Sequence, residues 1–434
     1  MTSKIPPLRI AIAGLGTVGA GVLQLLEQNQ PLIASRAGRP IAVVAVSARD
    51  RARSRGVELG SVTWFDDPVQ LARESEAEVI VELIGGSEGV ARKVVEASLS
   101  AGRSVVTANK ALLATHGVAL ARQAEAANLS LMAEAAVAGG IPILKSLREG
   151  LAANQIQRLC GILNGTCNYI LSQMRLTGGE FATILAEAQR LGYAEADPSF
   201  DIDGIDTAHK LALLAAIAFG VPPELGAVYC EGIRGITPLD IAYAEELGFR
   251  IKLLGIAEQS AVGIALRVHP TMVPQGNPIA HVEGVFNAVL ATGDAVGLSF
   301  YQGRGAGGAP TASAVVSDLV DLARGRSVPL FSVPIAALQK RARVASGSHV
   351  GCYYLRLMVK DESGVIADIS AILRDHRVSL ESMIQRGRSN DEAVPLVLTT
   401  HETEEAAMQG ALSKIATLGS VLQKPQLIRI VKEL

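Results

Sequence analysis

Short apolar runs alternate with helical patterns through the first third of the chain. The predicted strands cover residues 9–13, 40–46, 78–84 and 104–107. Stretches with helical spacing separate them, and the first, at 18–28, has apolar residues along one face. Strands that alternate with helices in this way predict a parallel, doubly wound sheet of the α/β class.

The alternation ends near residue 141. The elements predicted next are helices at 143–153, 183–191, 205–219 and 312–323 and a strand at 158–163. Residues 264–289 hold several short strand patterns, which predict a second, separate sheet. The final segment predicts strands at 353–359, 382–385, 393–400 and 426–430 and helices at 365–374 and 404–416.

The length of 434 residues fits about three domains. We expect a first domain at 1–140 to which 305–330 returns, an α+β catalytic and dimerisation domain at 141–304, a linker at 331–350 and a βαββαβ domain at 351–434. Hydrophobic residues make up 49% of the chain and aromatic residues 4%. The core is therefore built mainly from Ala, Val, Ile and Leu.

Charge and cysteine usage exclude several classes of protein. The formal net charge of −2 gives no basic surface for nucleic acid and no cationic belt for a membrane. The most apolar run, 211–220, is shorter than the roughly 20 residues that span a bilayer. Residues 1–9 lack a signal-peptide pattern, and the four cysteines show no CxxC spacing. We expect a cytoplasmic protein.

A glycine motif follows the first strand at the start of the first helix. Its sequence is GLGTVG, and the residues expected to contact a cofactor are Gly14, Gly16, Thr17, Val18 and Gly19. Glycines at this spacing allow a tight turn, a close approach to a pyrophosphate and close packing of helix on strand. In this context the motif predicts a Rossmann-type dinucleotide-binding domain, the alternative being a glycine-rich turn without a ligand.

The end of the second strand bears on which nicotinamide cofactor is bound. Ser47 and Ala48 stand where an NAD-selective site has an acidic residue, and Arg49 and Arg51 follow. Arginine binds a 2′-phosphate through a bidentate fork, which favours NADP. NAD stays open because Asp50 can meet a ribose hydroxyl, and the arginines of this segment can also form a solvated basic loop.

An acidic segment precedes the apolar helix at 205–219. Residues 192–210 read GYAEADPSFDIDGIDTAHK and hold five carboxylates within twelve residues. Asp206 and Lys210 are four apart and so share a helical face. A lysine held by carboxylates can donate a proton to a carbonyl oxygen as hydride reaches its carbon. The alternative is an exposed salt bridge beside an acidic turn.

This segment resembles the signature of the homoserine dehydrogenases. Three further stretches are similar to that family: TANK at 107–110, NGTCNYI at 164–170 and GRGAGG at 303–308. The resemblance covers about residues 8 to 330. It implies reversible NAD(P)H-dependent reduction of L-aspartate 4-semialdehyde to L-homoserine, in threonine, methionine and isoleucine biosynthesis. It also implies a homodimer or homotetramer.

The resemblance assigns roles to individual residues. Lys210 is the proton donor, and Lys110 lies between cofactor and substrate, where it holds the substrate carboxylate or assists proton transfer. Glu195 and Asp206 hold the substrate ammonium group. The remaining assignments are Asp201 as their support, Thr166 and Tyr193 at the substrate, and Gly308 at the cofactor. Alternatively, Lys110 forms a structural ion pair and Thr166 caps a helix.

Residues 134–142, EAAVAGGIP, are similar to the family's monovalent-cation site. The resemblance implies sodium, bound by Glu134 and the carbonyl oxygens of Val137, Gly139 and Ile141. Oxygen ligands suit such a hard ion. The alternative is an ordinary turn between domains with a solvated Glu134.

The C-terminal βαββαβ order, with DESGVIA at 361–367, resembles an ACT regulatory domain. For this family the implied effector is threonine. A dimerisation module that binds no ligand is the alternative.

Two other functions compete with the dehydrogenase. The first is an acylating semialdehyde dehydrogenase with Cys167 as nucleophile, which needs a base such as His116 or His209. The second is a non-catalytic nucleotide-bound amino-acid sensor, which would not need the complete segment from Glu195 to Lys210.

Overall fold

The computed structural model describes residues 5–56, 59–60, 62–386 and 393–432. Within them, no helix is both long and apolar enough to cross a bilayer.

The first 140 residues form a parallel sheet covered by helices. Its strands are β1 (Leu8–Ala13), β2 (Ile41–Ser47), β3 (Thr63–Phe65), β4 (Val79–Glu82), β5 (Ser104–Thr107) and β6 (Leu131–Met132). Its helices are α1 (Thr17–Gln28), α2 (Gln30–Ala37), α3 (Pro68–Glu74), α4 (Val90–Ser100) and α5 (Lys110–Ala126). The strand order 3-2-1-4-5-6 is that of a doubly wound dinucleotide-binding fold, as predicted.

The order of the strands locates a crevice. The chain reverses its direction of winding between β1 and β4, and ligands of such sheets bind beside the carboxyl ends of these strands. The motif at Gly14–Gly19 follows β1 at this edge. Lys110 lies at the same edge, three residues after the end of β5.

The central part builds most of a second sheet. Its strands are β7 (Ile156–Ile162), β8 (Val228–Cys230), β9 (Phe249–Ser260), β10 (Gly263–Pro274), β11 (Phe286–Gly293) and β12 (Gly297–Arg304). Its helices are α6 (Ile143–Lys145), α7 (Gly165–Thr177), α8 (Phe181–Arg190), α9 (Ser199–Ile202), α10 (Ile205–Phe219) and α11 (Pro238–Glu246). The next helix, α12 (Gly308–Ala323), returns to the first sheet and shares its buried core. The helix predicted at 143–153 is α6 followed by a π-helical turn, Ser146–Gly150.

The pattern of apolar residues did not reveal β9 or the length of β10. These strands form a 12-residue antiparallel pair, whereas short strands were predicted. Charged residues interrupt the apolar run of β9, among them Lys252, which is only 2% exposed. Its ammonium group donates to the carbonyl oxygen of Val282 (2.6 Å) and to Asn168 Oδ1 (3.2 Å). A charge can thus occupy an interior position because tertiary contacts satisfy its donors.

The tail has the predicted βαββαβ order. Its elements are β13 (Val350–Val359), α13 (Val365–Asp375), β14 (Leu380–Gln385), β15 (Val394–Thr400), the short β16 (Thr403–Glu404), α14 (Glu405–Ile415) and β17 (Gln426–Ile430). The described strands of the tail do not form a separate sheet. Because β17 pairs in parallel with β10, tail and central strands form one 11-stranded sheet.

A buried ion pair reinforces this junction. Asp240, in α11, is fully buried and accepts from Arg356 of β13 through both oxygens, Nε to Oδ1 at 2.7 Å and Nη2 to Oδ2 at 3.1 Å. Tyr354 donates to the same carboxylate at 3.1 Å, and Thr237 completes a capping box with it. Both carboxylate oxygens of Asp240 therefore accept hydrogen bonds from the tail, and Thr237 at the start of its own helix also donates to Oδ2.

We expect Asp240→Ala to lower the free energy of unfolding by about 3–5 kcal/mol, because Arg356 would stay buried without its counter-charge. Urea titration followed by circular dichroism measures the loss. Glu246→Gln is the control, since its partner Arg386 is largely exposed and such pairs contribute about 0–1 kcal/mol. Equal losses in the two variants would contradict this account of the junction.

Candidate active site

The turn after β1 leaves open space at one glycine only. A Cβ atom on Gly14 would lie 2.6 Å from the carbonyl oxygen of Leu83, and one on Gly19 would lie 2.1 Å from that of Gly14. A Cβ atom on Gly16 would meet nothing within 4 Å. Thr17 and Val18 then form the first turn of α1. Backbone N–H groups and an open face at a helix N-terminus fit a dinucleotide pyrophosphate.

A cleft of about 480 Å³ extends from this turn past the end of β2. Four predicted or suspected cofactor residues line it, namely Gly14, Gly16, Arg49 and Asp50. Arg51 lies over the Trp64 ring, with its guanidinium carbon 5.7 Å from the ring centroid, and Arg55 lies 5.6 Å from the same centroid. The carboxylate of Asp50 accepts the backbone N–H groups of Ala52 (2.9 Å) and Arg53 (3.2 Å). Asp50 therefore shapes its own loop.

The cleft also contains two arginines of the basic loop for which the sequence predicts no separate role. Arg53 and Arg55 both line it, and Arg55 Nε donates to the carbonyl oxygen of Leu15 at 3.2 Å. That carbonyl belongs to the glycine turn itself. No sequence rule marks Arg55, because its position depends on how the loop after β2 folds back.

The loop at 303–308 reaches the same turn from the other side. A Cβ atom on Gly308 would lie 3.1 Å from the carbonyl oxygen of Thr17, and one on Gly21 would lie 2.9 Å from that of Gly308. Helices α1 and α12 therefore pack with their backbones almost in contact. This places Gly308 beside the start of α1.

Lys210 and Lys110 share one buried carboxylate. Lys210 Nζ lies 2.7 Å from Asp206 Oδ2, and Lys110 Nζ lies 3.1 Å from Asp206 Oδ1. Lys210 also donates to the carbonyl oxygen of Leu163 at 2.6 Å. Lys110 begins α5 at the carboxyl edge of the parallel sheet. The Asp206 carboxylate, which binds Lys110, therefore joins the acidic segment to the nucleotide cleft.

Asn109 fixes the start of α5 and thereby Lys110. Its Oδ1 accepts the backbone N–H of Leu112 at 3.1 Å as a helix N-cap. Its Nδ2 donates to the carbonyl oxygen of Gly86 at 2.8 Å, in the segment that follows β4.

Asn164 is a site residue that the sequence analysis did not single out. Its Nδ2 donates to both Asp201 Oδ1 (2.8 Å) and Asp206 Oδ2 (2.9 Å), and its Oδ1 caps α7 at the N–H of Cys167. The only signal was its place at the start of the NGTCNYI stretch. An amide between two carboxylates keeps them close without adding charge.

The pKa values of the two carboxylates are shifted in opposite directions. Burial opposes ionisation of Asp206, but the charges of Lys210 and Lys110 outweigh it and hold the pKa of Asp206 well below its usual range. Burial raises the pKa of Asp201, and the nearby Asp206 adds to this effect although Asn164 opposes it. Asp206 is therefore a fixed negative charge between two ammonium groups.

Thr166 and Tyr193 border this centre, and Glu195 follows Tyr193 by two residues. Thr166 donates to the carbonyl oxygen of Tyr193 at 2.6 Å, and the Tyr193 ring packs on Tyr169 with centroids 4.9 Å apart. Glu195 is exposed, and the described part of the chain offers its carboxylate no hydrogen-bond partner. The structure thus groups Lys110, Lys210, Asp201 and Asp206, with Glu195 outside their network.

Cys167 is not placed as a nucleophile. Its thiol is buried and lies 3.2 Å from the carbonyl oxygen of Asp201. Burial, together with the neighbouring aspartates, raises the pKa of Cys167 well above its usual range, so the thiolate is disfavoured. Of the two suggested bases, His116 pairs with Glu88, and burial lowers the pKa of His209.

Glu134 lies in a strained, buried turn. Its carboxylate accepts the backbone N–H groups of Leu144 (3.0 Å) and Lys145 (2.8 Å) at the start of α6. Burial, with help from Asp318, raises the pKa of Glu134 to about 7. Ala138 and Gly139 adopt left-handed φ values of 56° and 51°. Glu134 is thus buried, whereas the simple-turn alternative required it to be solvated. Its two carboxylate oxygens each already accept one backbone N–H group.

Comparison with known proteins agrees with this architecture. Family models match residues 14–134 (homoserine dehydrogenase, NAD binding domain), 142–320 (homoserine dehydrogenase) and 353–419 (ACT domain). The homoserine dehydrogenase of Neisseria gonorrhoeae is 44% identical over 430 residues, with 98% of each chain covered.

Solved structures show the same relationship. A homoserine dehydrogenase from Thiobacillus denitrificans superposes with a TM-score of 0.91 at 46% identity, over 98% of each chain. A hyperthermophilic archaeal homoserine dehydrogenase in complex with NADPH gives a TM-score of 0.63 at 26% identity, over 73% of this chain and 97% of that one. The resemblance found in the sequence is confirmed: this chain belongs to the homoserine dehydrogenase family.

Proposed function

We propose that this oxidoreductase interconverts L-homoserine and L-aspartate 4-semialdehyde, with NADP(H) as its preferred cofactor and Lys210 as the proton donor in the reducing direction. The observation that carries the proposal is the Lys210–Asp206–Lys110 group at the edge of the nucleotide cleft. When bound, the nicotinamide supplies or accepts the hydride at the substrate carbon.

Lys210 suits proton donation at the substrate oxygen. Its side chain is mostly buried and is aligned by Asp206 Oδ2 and the carbonyl oxygen of Leu163. As negative charge develops on the carbonyl oxygen, an ammonium group at hydrogen-bond distance stabilises it and transfers a proton. In the oxidising direction the same nitrogen receives the proton of the hydroxyl group.

The amino-acid end of the substrate needs charges of both signs. Asp206 and Glu195 supply the carboxylates for its ammonium group, supported by Asp201, and Lys110 supplies the cation for its carboxylate. Glu195 is exposed, and its carboxylate has no hydrogen-bond partner among the described residues, so it is free to pair with an arriving ammonium group. Thr166 and Tyr193 border the same space. The proposed cofactor contacts are Gly14, Gly16, Thr17, Val18, Gly19 and Gly308, with Arg49 and Arg51 at the 2′-phosphate.

A monovalent cation, sodium by the family pattern, is proposed at residues 134–142. The support is a buried carboxylate, that of Glu134, beside left-handed backbone at Ala138 and Gly139. The proposed ligands are Glu134 and the carbonyl oxygens of Val137, Gly139 and Ile141. They would hold the turn that connects β6 with α6.

The larger assembly and its regulation are also proposals. Leu298 and Phe300 are exposed on the edge strand β12, which supports a homodimer or homotetramer. The ACT match at 353–419 supports threonine as effector. The first sheet and the packing of α12 against α1 support a domain of 1–140 with 305–330. A separate cluster of buried residues in the tail, from Tyr353 to Leu427, supports the division into 141–304, the linker 331–350 and 351–434, although the strands share one sheet. The four free cysteines favour a cytoplasmic location.

Absorbance at 340 nm with purified protein, L-homoserine and either NADP or NAD tests the function directly. We expect reduction of both cofactors, with higher kcat/KM for NADP, and slower turnover when threonine is added. Absence of homoserine-dependent reduction with either cofactor would refute the function. An unchanged rate with threonine would refute only the proposed effector.

We expect Lys210→Ala to lower kcat by about 10²–10⁴-fold, because general acid catalysis contributes that much, while NADPH still binds. Stopped-flow kinetics and the fluorescence of bound NADPH measure the two quantities. Lys93→Ala, on the surface helix α4, is the matched control. Turnover that survives in Lys210→Ala would remove this lysine as the acid.

We expect Arg49→Ala to raise the KM for NADP about 10-fold or more and to leave that for NAD within about twofold, because only NADP loses a charge-assisted contact. Initial rates with each cofactor measure both constants. Arg122→Ala, exposed on α5, serves as the control. Equal changes for the two cofactors would contradict the 2′-phosphate assignment.

A further inference from the structure

One segment of the central part, residues 229–240, contacts both the tail and the acidic segment; we call it the connector. It begins in β8, runs through a loop and ends in the first turn of α11. β8 pairs with β10, the same strand to which β17 of the tail is added. The connector therefore lies beside the junction of the two parts of the sheet.

Arg429 of β17 joins the tail to the start of the connector. It is 3% exposed and binds Glu405 of α14 through two nitrogens, at 2.9 and 2.6 Å. Its remaining donors reach Glu231 Oε2 (2.8 Å) and the hydroxyl of Tyr229 (3.1 Å), both in the connector. A guanidinium group with this many partners fixes β8 relative to the tail.

The middle of the connector is bound to α9. Ile233 donates its backbone N–H to the carbonyl oxygen of Ile202 at 2.9 Å. Arg234 Nη2 donates to Asp203 Oδ2 (2.9 Å) and to Ser199 Oγ (3.0 Å). A Cβ atom on Gly232 would lie 2.1 Å from the carbonyl oxygen of Ile202, so the two backbones are in direct contact.

The helix held in this way carries the carboxylates of the active site. Asp201 lies in α9, and Gly204, with a left-handed φ of 84°, turns the chain into α10. Asp206 and Lys210 occupy the first two turns of α10. A shift of the connector therefore shifts α9 and the beginning of α10, which determine where the substrate's charged groups are held.

The far end of the connector is bound to the tail as well. Asp240 forms the buried pair with Arg356 and Tyr354 described above. The tail thus holds the connector at both ends, while the acidic segment is bound to its middle. Two rigid contacts with the tail leave the connector little freedom to move independently of it.

We propose that Glu231 and Arg429 are positioning residues: through the connector they let the tail set the position of the acidic segment, and so the affinity for the amino-acid substrate. This inference rests on the proposed function, because it takes that segment as the substrate site. The nucleotide cleft, formed by the other sheet, is not bound to the connector by these contacts. A change in the position of the connector therefore changes the affinity for the substrate but not the affinity for the cofactor.

Glu231→Gln tests the proposal, because it keeps the shape of the side chain and removes its charge. We expect the KM for L-homoserine to rise about 5- to 20-fold, within the usual range of coupling between sites, while the KM for NADP stays within about twofold. Glu246→Gln is the matched control. It also removes an ion pair between the central part and the tail, that of Glu246 with Arg386, but lies at the end of α11 beyond the connector. We expect both its KM values to match the wild type.

Arg234→Ala tests the same connection from the other side. It removes an exposed ion pair and so remains informative if Glu231→Gln does not fold. We again expect a selective rise in the homoserine KM. Equal rises in both KM values, or homoserine KM values in Glu231→Gln and Arg234→Ala no higher than in Glu246→Gln, would overturn the proposal. Failure of the wild type to oxidise homoserine would instead overturn the proposed function.

Discussion

The carboxylate of Asp206 is the interaction on which the site depends. It is 5% exposed, and a buried charge of this kind is costly unless it is paired and hydrogen-bonded. Lys210, Lys110 and Asn164 together satisfy both of its oxygens. These partners come from three separate stretches of chain, so the charge can be buried only when the nucleotide sheet and the central helices are assembled.

This constraint explains the arrangement of the chemistry. The first sheet brings Lys110 to its carboxyl edge, where the glycine turn also lies, and α10 brings Lys210 to the same carboxylate. A proton donor is thereby fixed beside a cleft suited to a nicotinamide cofactor. The carboxylate of Asp206 joins the nucleotide sheet to α10 through Lys110 and also aligns Lys210. Stability and catalysis therefore depend on the same group.

Much of the first domain could be predicted from sequence, because its signals are local. The strand at 104–107 has the predicted bounds, as has the helix at 205–219 in the central part. Gly14 has a left-handed φ of 109°, and neither Gly14 nor Gly19 leaves room for a Cβ atom. The rest depends on distant contacts. Asn164 belongs to the site because the fold places Asp201 and Asp206 within hydrogen-bond distance of its amide group. Strand β9 is largely buried although it contains Lys252. The addition of β17 to β10 could not be predicted either, since a pairing of two strands over 150 residues apart leaves no local pattern.

A crystal structure of the complex with homoserine and NADP tests the central claim most directly. We predict that Lys210 Nζ lies within about 3.2 Å of the substrate hydroxyl oxygen while it remains bound to Asp206. A hydroxyl oxygen bound by another residue, with Lys210 beyond hydrogen-bond distance, would contradict the assignment of the proton donor.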